Sequence, residues 1–144
     1  MVCVTEARVE DIISLHNQIT ELETATAESF AKRLEGKNYL CLLAQENGKK
    51  LGYVIAYPLD ENRLYCWVGG VLAGGRGKGI YSQLAQKRED WAKKKGFKIL
   101  QLKTRNKFKG MRSWLVKNGF DCIGFEERET VDENRLLFEK TLKG

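Results

Sequence analysis

The chain has 144 residues, a length that suits one domain with a buried core, and we expect residues 1–144 to form a single domain. Hydrophobic residues make up 42% of it and charged residues 31%, and with one proline this composition excludes a disordered linker. No apolar run is long enough to span a bilayer and the first residues show no signal-peptide pattern, so we expect a cytoplasmic protein without a membrane partner.

The net charge of +6 is carried by the second half of the sequence, because acidic residues outnumber basic ones over residues 1–62. A basic half suits a polyanionic partner, which is either a phosphorylated cofactor or a nucleic acid. The sequence predicts no metal site, since His16 is its single histidine and the cysteines are far apart. We interpret the four cysteines as small buried apolar side chains in a reduced compartment: Cys3, Cys41, Cys66 and Cys122.

The first part of the chain predicts two helices and an antiparallel meander. Apolar residues at helical spacing predict a helix over about 8–20. A second helix begins after Thr26, which can cap it, and ends before Gly36. Asn47-Gly48 is a strong hairpin signal between two apolar runs. The strands of this part are predicted at 2–4, 39–44, 51–57 and 64–72.

Residues 69–82 form a glycine-rich junction between the last of these strands and a helix predicted over about 79–95. The pair Gly69-Gly70 indicates a bulge, or a point at which another backbone or a ligand comes close. The N–H groups at the start of the helix, with Arg76 and Lys78 beside them, predict a site for a phosphate or pyrophosphate. Further on we predict a strand at 97–104, a helix over about 108–117, and strands at 120–125 and 136–139.

The predicted order of elements is therefore β-α-α-β-β-β-α-β-α-β-β, a mixed α/β fold with about seven strands. Short connections make the middle strands antiparallel. The β-loop-α-β unit at 64–104 instead makes its two strands parallel, with a right-handed crossover.

The spacing of the glycines distinguishes between three kinds of phosphate-binding loop. A P-loop requires Gly-x-x-x-x-Gly-Lys-Ser/Thr, and here Leu72 and Gly79 stand at two of the required positions. A dinucleotide-binding loop requires Gly-x-Gly-x-x-Gly, and Ser82 replaces its third glycine. The third loop, Arg/Gln-x-x-Gly-x-Gly/Ala, follows a strand and opens a helix; Arg76 to Ile80 match it and Tyr81 breaks it.

With this loop between a strand and a helix, the chain resembles the GCN5-related N-acetyltransferase (GNAT) superfamily. The resemblance covers nearly the whole length, from the early helix pair through the meander and the loop. It continues in Thr104-Arg105-Asn106 and in Lys117-Asn118-Gly119-Phe120, which is similar to the family's Asn, helix and Lys-x-Gly-Phe ending. The resemblance implies a mostly antiparallel sheet of about seven strands flanked by about four helices, with a splayed parallel strand pair that forms the cofactor cleft.

The resemblance also implies an acetyl-CoA site and no metal. Backbone amides around residues 76–82 would hold the pyrophosphate, the backbone of Val71 and Leu72 would pair with the pantetheine arm, and Asn106 would contact the cofactor from the end of the second parallel strand. The residues assigned to the cofactor are Val71, Leu72, Arg76, Gly77, Lys78, Gly79, Ile80, Tyr81, Ser82 and Asn106.

Two departures from the family pattern affect the expected chemistry. Tyr81 stands where the loop has Gly or Ala, so its side chain must point away from the phosphates or stack on the cofactor. Leu115 stands where many members have a tyrosine that protonates the departing thiolate, which leaves Ser113 or a water for that role.

The base that deprotonates the amine is not evident, because the strand before the loop carries no carboxylate. Glu21 and Glu23 are candidates, since the connection between the first helices lines the acceptor side in similar proteins, and Tyr65 is another. Water is an equal alternative. His16 is interpreted as a surface or packing residue. The tyrosines and tryptophan of the meander either pack in the core or line the acceptor pocket: Tyr53, Tyr57, Tyr65 and Trp67.

The sequence thus predicts an acetyl-CoA-dependent N-acetyltransferase that acts on a small amine or a protein amino group by direct attack. The alternative is a weakly active or inactive module of the same fold that senses CoA or binds nucleic acid, and nucleic acid is the less favoured partner. The acceptor cannot be read from the sequence, and a homodimer is possible because dimers are common among similar proteins.

Overall fold

The computed structural model describes residues 1–143, which form a seven-stranded sheet in the order β1-β2-β3-β4-β5-β7-β6 with four α-helices. Neighbouring strands are antiparallel except for β4 and β5, which pair in parallel. This confirms the predicted mixed fold and its parallel pair, and β7 lies between β5 and β6. The strands are β1 (Cys3–Glu6), β2 (Leu40–Glu46), β3 (Lys49–Pro58), β4 (Arg63–Val71), β5 (Ile99–Arg105), β6 (Asp121–Glu126) and β7 (Arg135–Thr141).

The helices begin and end at the signals that the sequence carries. They are α1 (Val9–Gln18), α2 (Ala27–Leu34), α3 (Ile80–Lys94) and α4 (Lys109–Lys117), and two short 3₁₀ turns lie at Ala73–Gly75 and Val131–Glu133. The Thr26 hydroxyl accepts a hydrogen bond from the Ser29 N–H at 3.0 Å, which caps α2 as predicted. The hairpin between β2 and β3 turns at Asn47 and Gly48, whose φ angles of 53° and 77° are those that a tight β-hairpin requires.

The two faces of the sheet are covered by different helices. One core lies between the sheet and α1 and α2, and it is built around Ile12, Leu15 and Phe30. On the opposite face α3 packs through Ile80 and Leu84, while α3 and α4 cover a further core that lies mainly over β5 and β7. Among residues 1–143, no helix is long and apolar enough to cross a membrane.

Strands β4 and β5 separate after four residue pairs. They are paired from Arg63 with Ile99 to Cys66 with Leu102, whereas β4 remains paired with β3 as far as Val71. The last third of β4 therefore leaves β5 and stays with the first half of the sheet. This divergence opens a gap between two neighbouring strands, which is the splayed pair that the family resemblance implies.

Gly69 and Gly70 lie in β4 where its neighbours leave no room for a side chain. A Cβ atom on Gly69 would lie 2.7 Å from the Tyr53 carbonyl oxygen, and one on Gly70 would lie 3.2 Å from the Ile19 side chain. The register shift between β3 and β4 lies instead at Ile55, away from the two glycines. The sequence left two interpretations of Gly69-Gly70, a bulge or a close approach, and the structure shows a close approach of the β3 backbone at Gly69.

The interpretation of the cysteines holds for two of the four. Cys41 and Cys66 are buried in central strands, whereas Cys3 and Cys122 are exposed. The exposed pair lies on β1 and β6, the two edge strands, where an apolar sequence run does not guarantee that both faces are covered. The prediction that all four thiols are buried was wrong for these two.

Replacing Gly69 by alanine should destabilise the protein, because the new methyl group would displace the β3 backbone. We expect the free energy of unfolding to fall by about 1–3 kcal/mol, the usual cost of overpacking a core. Gly124→Ala is the matched control, because Gly124 lies in strand β6 and a Cβ atom there meets nothing within 4 Å. Urea denaturation of both variants checks this, and equal stability of the two would contradict the packing argument.

Candidate functional site

A cleft of about 1050 Å³ opens where β4 and β5 diverge. It passes from the α1–α2 connection on one face of the sheet to the space between α3 and α4 on the other. The last third of β4, the glycine-rich loop and the end of β5 form its walls. The gap in the sheet and the loop predicted to bind phosphate are thus parts of one site.

The loop presents bare backbone N–H groups to this cleft. Gly77 and Gly79 have φ angles of 81° and 70°, a conformation that favours glycine. Gly79 caps α3 without a side chain, and the first helical hydrogen bond runs from the Gln83 N–H to the Gly79 carbonyl at 3.1 Å. The N–H groups of residues 80–82 therefore have no partner within the helix, and these residues line the cleft. A helix start of this kind binds anions.

Arg76 and Glu21 form an ion pair that ties the loop to the α1–α2 connection. The Arg76 guanidinium bonds the Glu21 carboxylate and holds its pKa below the usual value, and the same contact raises the pKa of Arg76. Arg76, which the sequence analysis assigns to the cofactor, thus bonds Glu21, which is a candidate for the base. A carboxylate held in its ionised form is a weak base, so this pairing makes Glu21 a poor proton acceptor.

Val71 and Leu72 differ in what their backbones offer. The Leu72 N–H donates to the Leu51 carbonyl at 2.8 Å, and its own carbonyl accepts from the Gly75 N–H at 2.9 Å. Leu72 is therefore engaged within the protein, which differs from the exposed backbone expected there. The same bond makes Val71 and Gly52 a non-hydrogen-bonded pair, so the N–H and carbonyl of Val71 point away from β3.

Two further residues assigned to the cofactor lie outside the lining of the cleft. Lys78 is exposed in the loop. The Asn106 side chain donates to the Val131 carbonyl at 3.2 Å, and its backbone N–H donates to the Asn134 carbonyl at 2.8 Å. Asn106 thereby joins the end of β5 to the β6–β7 connection. The assigned residues that do line the cleft are Val71, Arg76, Gly77, Gly79, Ile80, Tyr81 and Ser82.

The other catalytic candidates are placed differently by the structure. Glu23 lines the cleft with its carboxylate 3.3 Å from Arg105. Tyr65 also lines it, and burial raises the pKa of its hydroxyl, so the group is neutral near pH 7 and cannot act as a base. Ser113 lies on the exposed side of α4, outside the cleft lining, which disfavours it as the replacement for the missing tyrosine. Leu115 is fully buried in the core.

His16 is buried and uses both of its ring nitrogens. Its Nε2 lies 2.8 Å from the Glu23 carbonyl, which can only accept, so Nε2 donates and Nδ1 accepts from the Tyr53 hydroxyl at 2.5 Å. Burial lowers the pKa of the ring. The interpretation as a surface residue was therefore wrong and that as a packing residue was right. Its helical spacing from Ile12 and Ile19 already places it on the apolar face of α1.

The aromatic residues of the meander divide between core and cleft. Tyr53 and Tyr57 are core residues, while Tyr65 and Trp67 line the cleft on the side of α2. The guanidinium of Arg33 lies 4.9 Å from the centroid of the Trp67 ring, in cation–π contact. The side of the cleft beyond the sheet gap is therefore an aromatic pocket with a cation at its wall.

Sequence reasoning missed two residues on the opposite face. Trp114 on α4 donates through Nε1 to the Ser82 hydroxyl at 3.0 Å and packs edge-on against Tyr81, with the ring centroids 4.8 Å apart. Arg88 lines the cleft from α3 and is 2% exposed. Its position four residues after Leu84 on the buried face of α3 was the available signal. Within residues 1–143 no three His, Cys, Asp or Glu side chains converge as metal ligands.

The sheet opens at its one parallel strand pair, beside a helix N-terminus without a side-chain cap. This combination is typical of acyltransferases. Comparison with known proteins gives the same class. The model of the acetyltransferase (GNAT) family matches residues 8–120. The N-acetyltransferase YhfO of Bacillus subtilis (strain 168), itself uncharacterized, is 30% identical over 132 residues, which cover 82% of this chain and 89% of that protein.

Solved structures of the same fold accompany these matches. The ribosomal-protein-S18-alanine N-acetyltransferase of Escherichia coli superposes with a TM-score of 0.86 at 17% identity, over 100% of this chain and 97% of that one. A GNAT family acetyltransferase from Elizabethkingia anophelis, with acetyl-CoA bound, gives 0.76 at 19% identity over 98% of each chain. The chain belongs to the GNAT family of acetyltransferases. Family membership favours an enzyme over a binding module.

The buried neutral His16 should make stability fall at mildly acidic pH. Its pKa in the folded state lies below 6.5, so the unfolded chain takes up the proton first, and stability present above pH 6.5 is lost as the pH falls. We expect a slope of at most about 1.4 kcal/mol per pH unit, the value for one proton. His16 is the single histidine, so His16→Gln should flatten the dependence between pH 5 and about 6.5. An unchanged slope in the variant would contradict this.

Proposed function

We propose that this protein transfers the acetyl group of acetyl-CoA to a primary amine of a small molecule or a protein, by direct attack of the amine on the thioester. The observation that supports the proposal most strongly is the bare N-terminus of α3 at the mouth of the strand gap. The acetyl-CoA bound to the Elizabethkingia anophelis neighbour supports the same donor.

The residues of the loop fit the phosphates of this donor. Gly77 and Gly79 have open space where a Cβ atom would be, so an anion can come against the backbone there. The N–H groups of residues 80–82 donate to the pyrophosphate, and the outward backbone of Val71 pairs with the pantetheine arm. Arg76 contributes positive charge that its bond to Glu21 partly neutralises. The bound donor supplies the activated acyl group.

The amine must lose a proton, and the carboxylates of the cleft are poorly suited to take it. Within the described residues three glutamates line the cleft, and each is paired with a cation: Glu21 with Arg76, Glu23 with Arg105, and Glu126 with Lys103. Arg76 and Lys103 hold the pKa values of Glu21 and Glu126 below the usual value, which makes both carboxylates weak bases. We infer that water takes the proton, and that the aromatic pocket beyond the gap holds the acceptor.

Gly77→Asp should weaken CoA binding strongly, because the added carboxylate would repel the pyrophosphate. Gly36→Asp is the matched control: Gly36 also has a positive φ, 72°, and open space around its Cα, but it lies outside the cleft lining. Both changes strain the backbone alike, and only the first places charge at the loop. We expect calorimetry to give at least a tenfold weaker Kd for Gly77→Asp alone. Equal affinity of the two variants would contradict this placement of the phosphates.

A thiol-release assay with acetyl-CoA tests the reaction and the base together. Polyamines, amino acids, aminoglycosides and peptides serve as acceptors, and we expect turnover with one of these classes. With that acceptor, Glu21→Gln at saturating acetyl-CoA should lower kcat by less than about tenfold if water is the base. A loss of about 10²–10⁴-fold, the usual contribution of a general base, would instead identify Glu21 as that base. Absence of turnover with every class would contradict the proposed function.

A further inference from the structure

Arg88 is a buried cation without an internal anion. It lies on α3 between Leu84 and Ala92 on the face toward the sheet, and it is 2% exposed. Its Nε is buried and has no hydrogen-bond partner. The carboxylate of the neighbouring Glu89 bonds Lys140 at 2.8 Å and Lys93 at 3.5 Å instead. Burial of a guanidinium without a paired carboxylate costs free energy. A bound anion from outside the chain would offset that cost at Arg88.

The groups around Arg88 supply a phenol and a thiol but no carboxylate of its own. Tyr81 lies within side-chain hydrogen-bonding reach of the guanidinium, with its ring centroid 5.9 Å from Cζ, and the Cys66 thiol on β4 and the Glu89 carboxylate lie near the cation. Burial raises the pKa of the Cys66 thiol, which therefore stays neutral. Trp114, one of the α4 residues that line the cleft, carries no charge. Arg88 therefore faces the cleft without an ion pair of its own, since the nearest carboxylate, Glu89, also bonds two lysines.

Arg88 lies at the vertex of the gap between β4 and β5. Cys66 and Leu102 are the last residues that pair the two strands, and both line the cleft with Arg88. Tyr81 lies in the first turn of α3, at the proposed phosphate site, and Arg88 lies seven residues further along the same helix. At about 1.5 Å per residue, the two backbone positions are about 10 Å apart along the helix. The Arg88 guanidinium lies between the Tyr81 ring, 5.9 Å away, and the Cys66 thiol at the vertex. An extended pantetheine arm that enters at the loop and follows β4 leads toward this vertex.

We propose, as a consequence of the function proposed above, that Arg88 holds the negative charge on the sulfur of CoA as the acyl group leaves. The amine nitrogen forms the new C–N bond, the C–S bond breaks and its electron pair stays on sulfur, while the amine proton goes to water. Arginine remains protonated and so stabilises the thiolate without giving it a proton. Leu115 stands where many members have the tyrosine that protonates the thiolate, so α4 supplies no phenol here. The fixed positive charge of Arg88 would stabilise the thiolate instead.

The pKa of the thiol in bound CoA tests this without an acceptor. The ultraviolet absorbance of the thiolate is followed against pH, with free CoA as reference. A cation beside an ionisable group lowers its pKa by about one to three, so we expect a decrease of that size on the wild-type protein. Arg88→Gln should return the value to that of free CoA, and Arg88→Lys should retain part of the decrease. Arg112→Gln is the matched control, because Arg112 also has a buried, unpartnered Nε but does not line the cleft.

The outcomes separate this inference from the proposed function. Failure of CoA to bind the wild-type protein would overturn both. If CoA binds and its thiol pKa equals that of free CoA, the role proposed for Arg88 is overturned and the proposed function is not. This measurement uses the wild-type protein, so it tests the role of Arg88 even if Arg88→Gln fails to fold. Desulfo-CoA should bind the wild type and Arg88→Gln equally. If Arg88→Gln instead weakens succinyl-CoA binding alone and leaves the thiol pKa unchanged, Arg88 recognises an acyl carboxylate and the inference is wrong.

Discussion

The separation of β4 from β5 is the constraint on which the rest of the structure depends. Strand β4 stays paired with β3 as far as Val71. Gly69 permits this close pairing, because a Cβ atom at that position would lie only 2.7 Å from the Tyr53 carbonyl oxygen. Strand β4 leaves β5 after Cys66, so the sheet has two parts that remain joined only at the base of the cleft. The core under α1 and α2 lies on the β1–β4 part of the sheet, whereas the core under α3 and α4 joins residues of β4 and β5 where these strands are still paired. The sheet can therefore open beyond this point without loss of either core.

Charge is distributed along this gap in a definite order. The N-terminus of α3 and Arg76 lie at its mouth and Arg88 lies at its vertex. On the far side Arg105 is paired with Glu23, whereas Arg33 lies against the Trp67 ring. The Arg76–Glu21 bond joins the loop to the α1–α2 connection. Under the proposed function, these cations lie where a CoA ester carries or develops negative charge, and the paired carboxylates lie where the amine enters.

The sequence predicts the fold and the loop because their signals are local. Helix caps, the Asn-Gly turn and glycine spacing each depend on a few adjacent residues. The features that the sequence does not show are set by tertiary contacts. The bonds of Leu72 to Leu51 and Gly75, and of Asn106 to the β6–β7 connection, cannot be read from spacing. Arg88 was missed because a charged residue on an apolar helix face is usually assumed to reach solvent, whereas here the cleft lies beneath it.

The central claim is that the glycine-rich loop and the strand gap together form a CoA site. Backbone amide chemical shifts, recorded by NMR as CoA is added to the wild-type protein, test it most directly. The account predicts that the amides of Val71, Gly77, Gly79 and Tyr81 shift in a saturable way, while those of Gly36 and Gly48, outside the cleft lining, stay unchanged. Shifts confined to residues outside the cleft, or no shifts at saturating CoA, would contradict it.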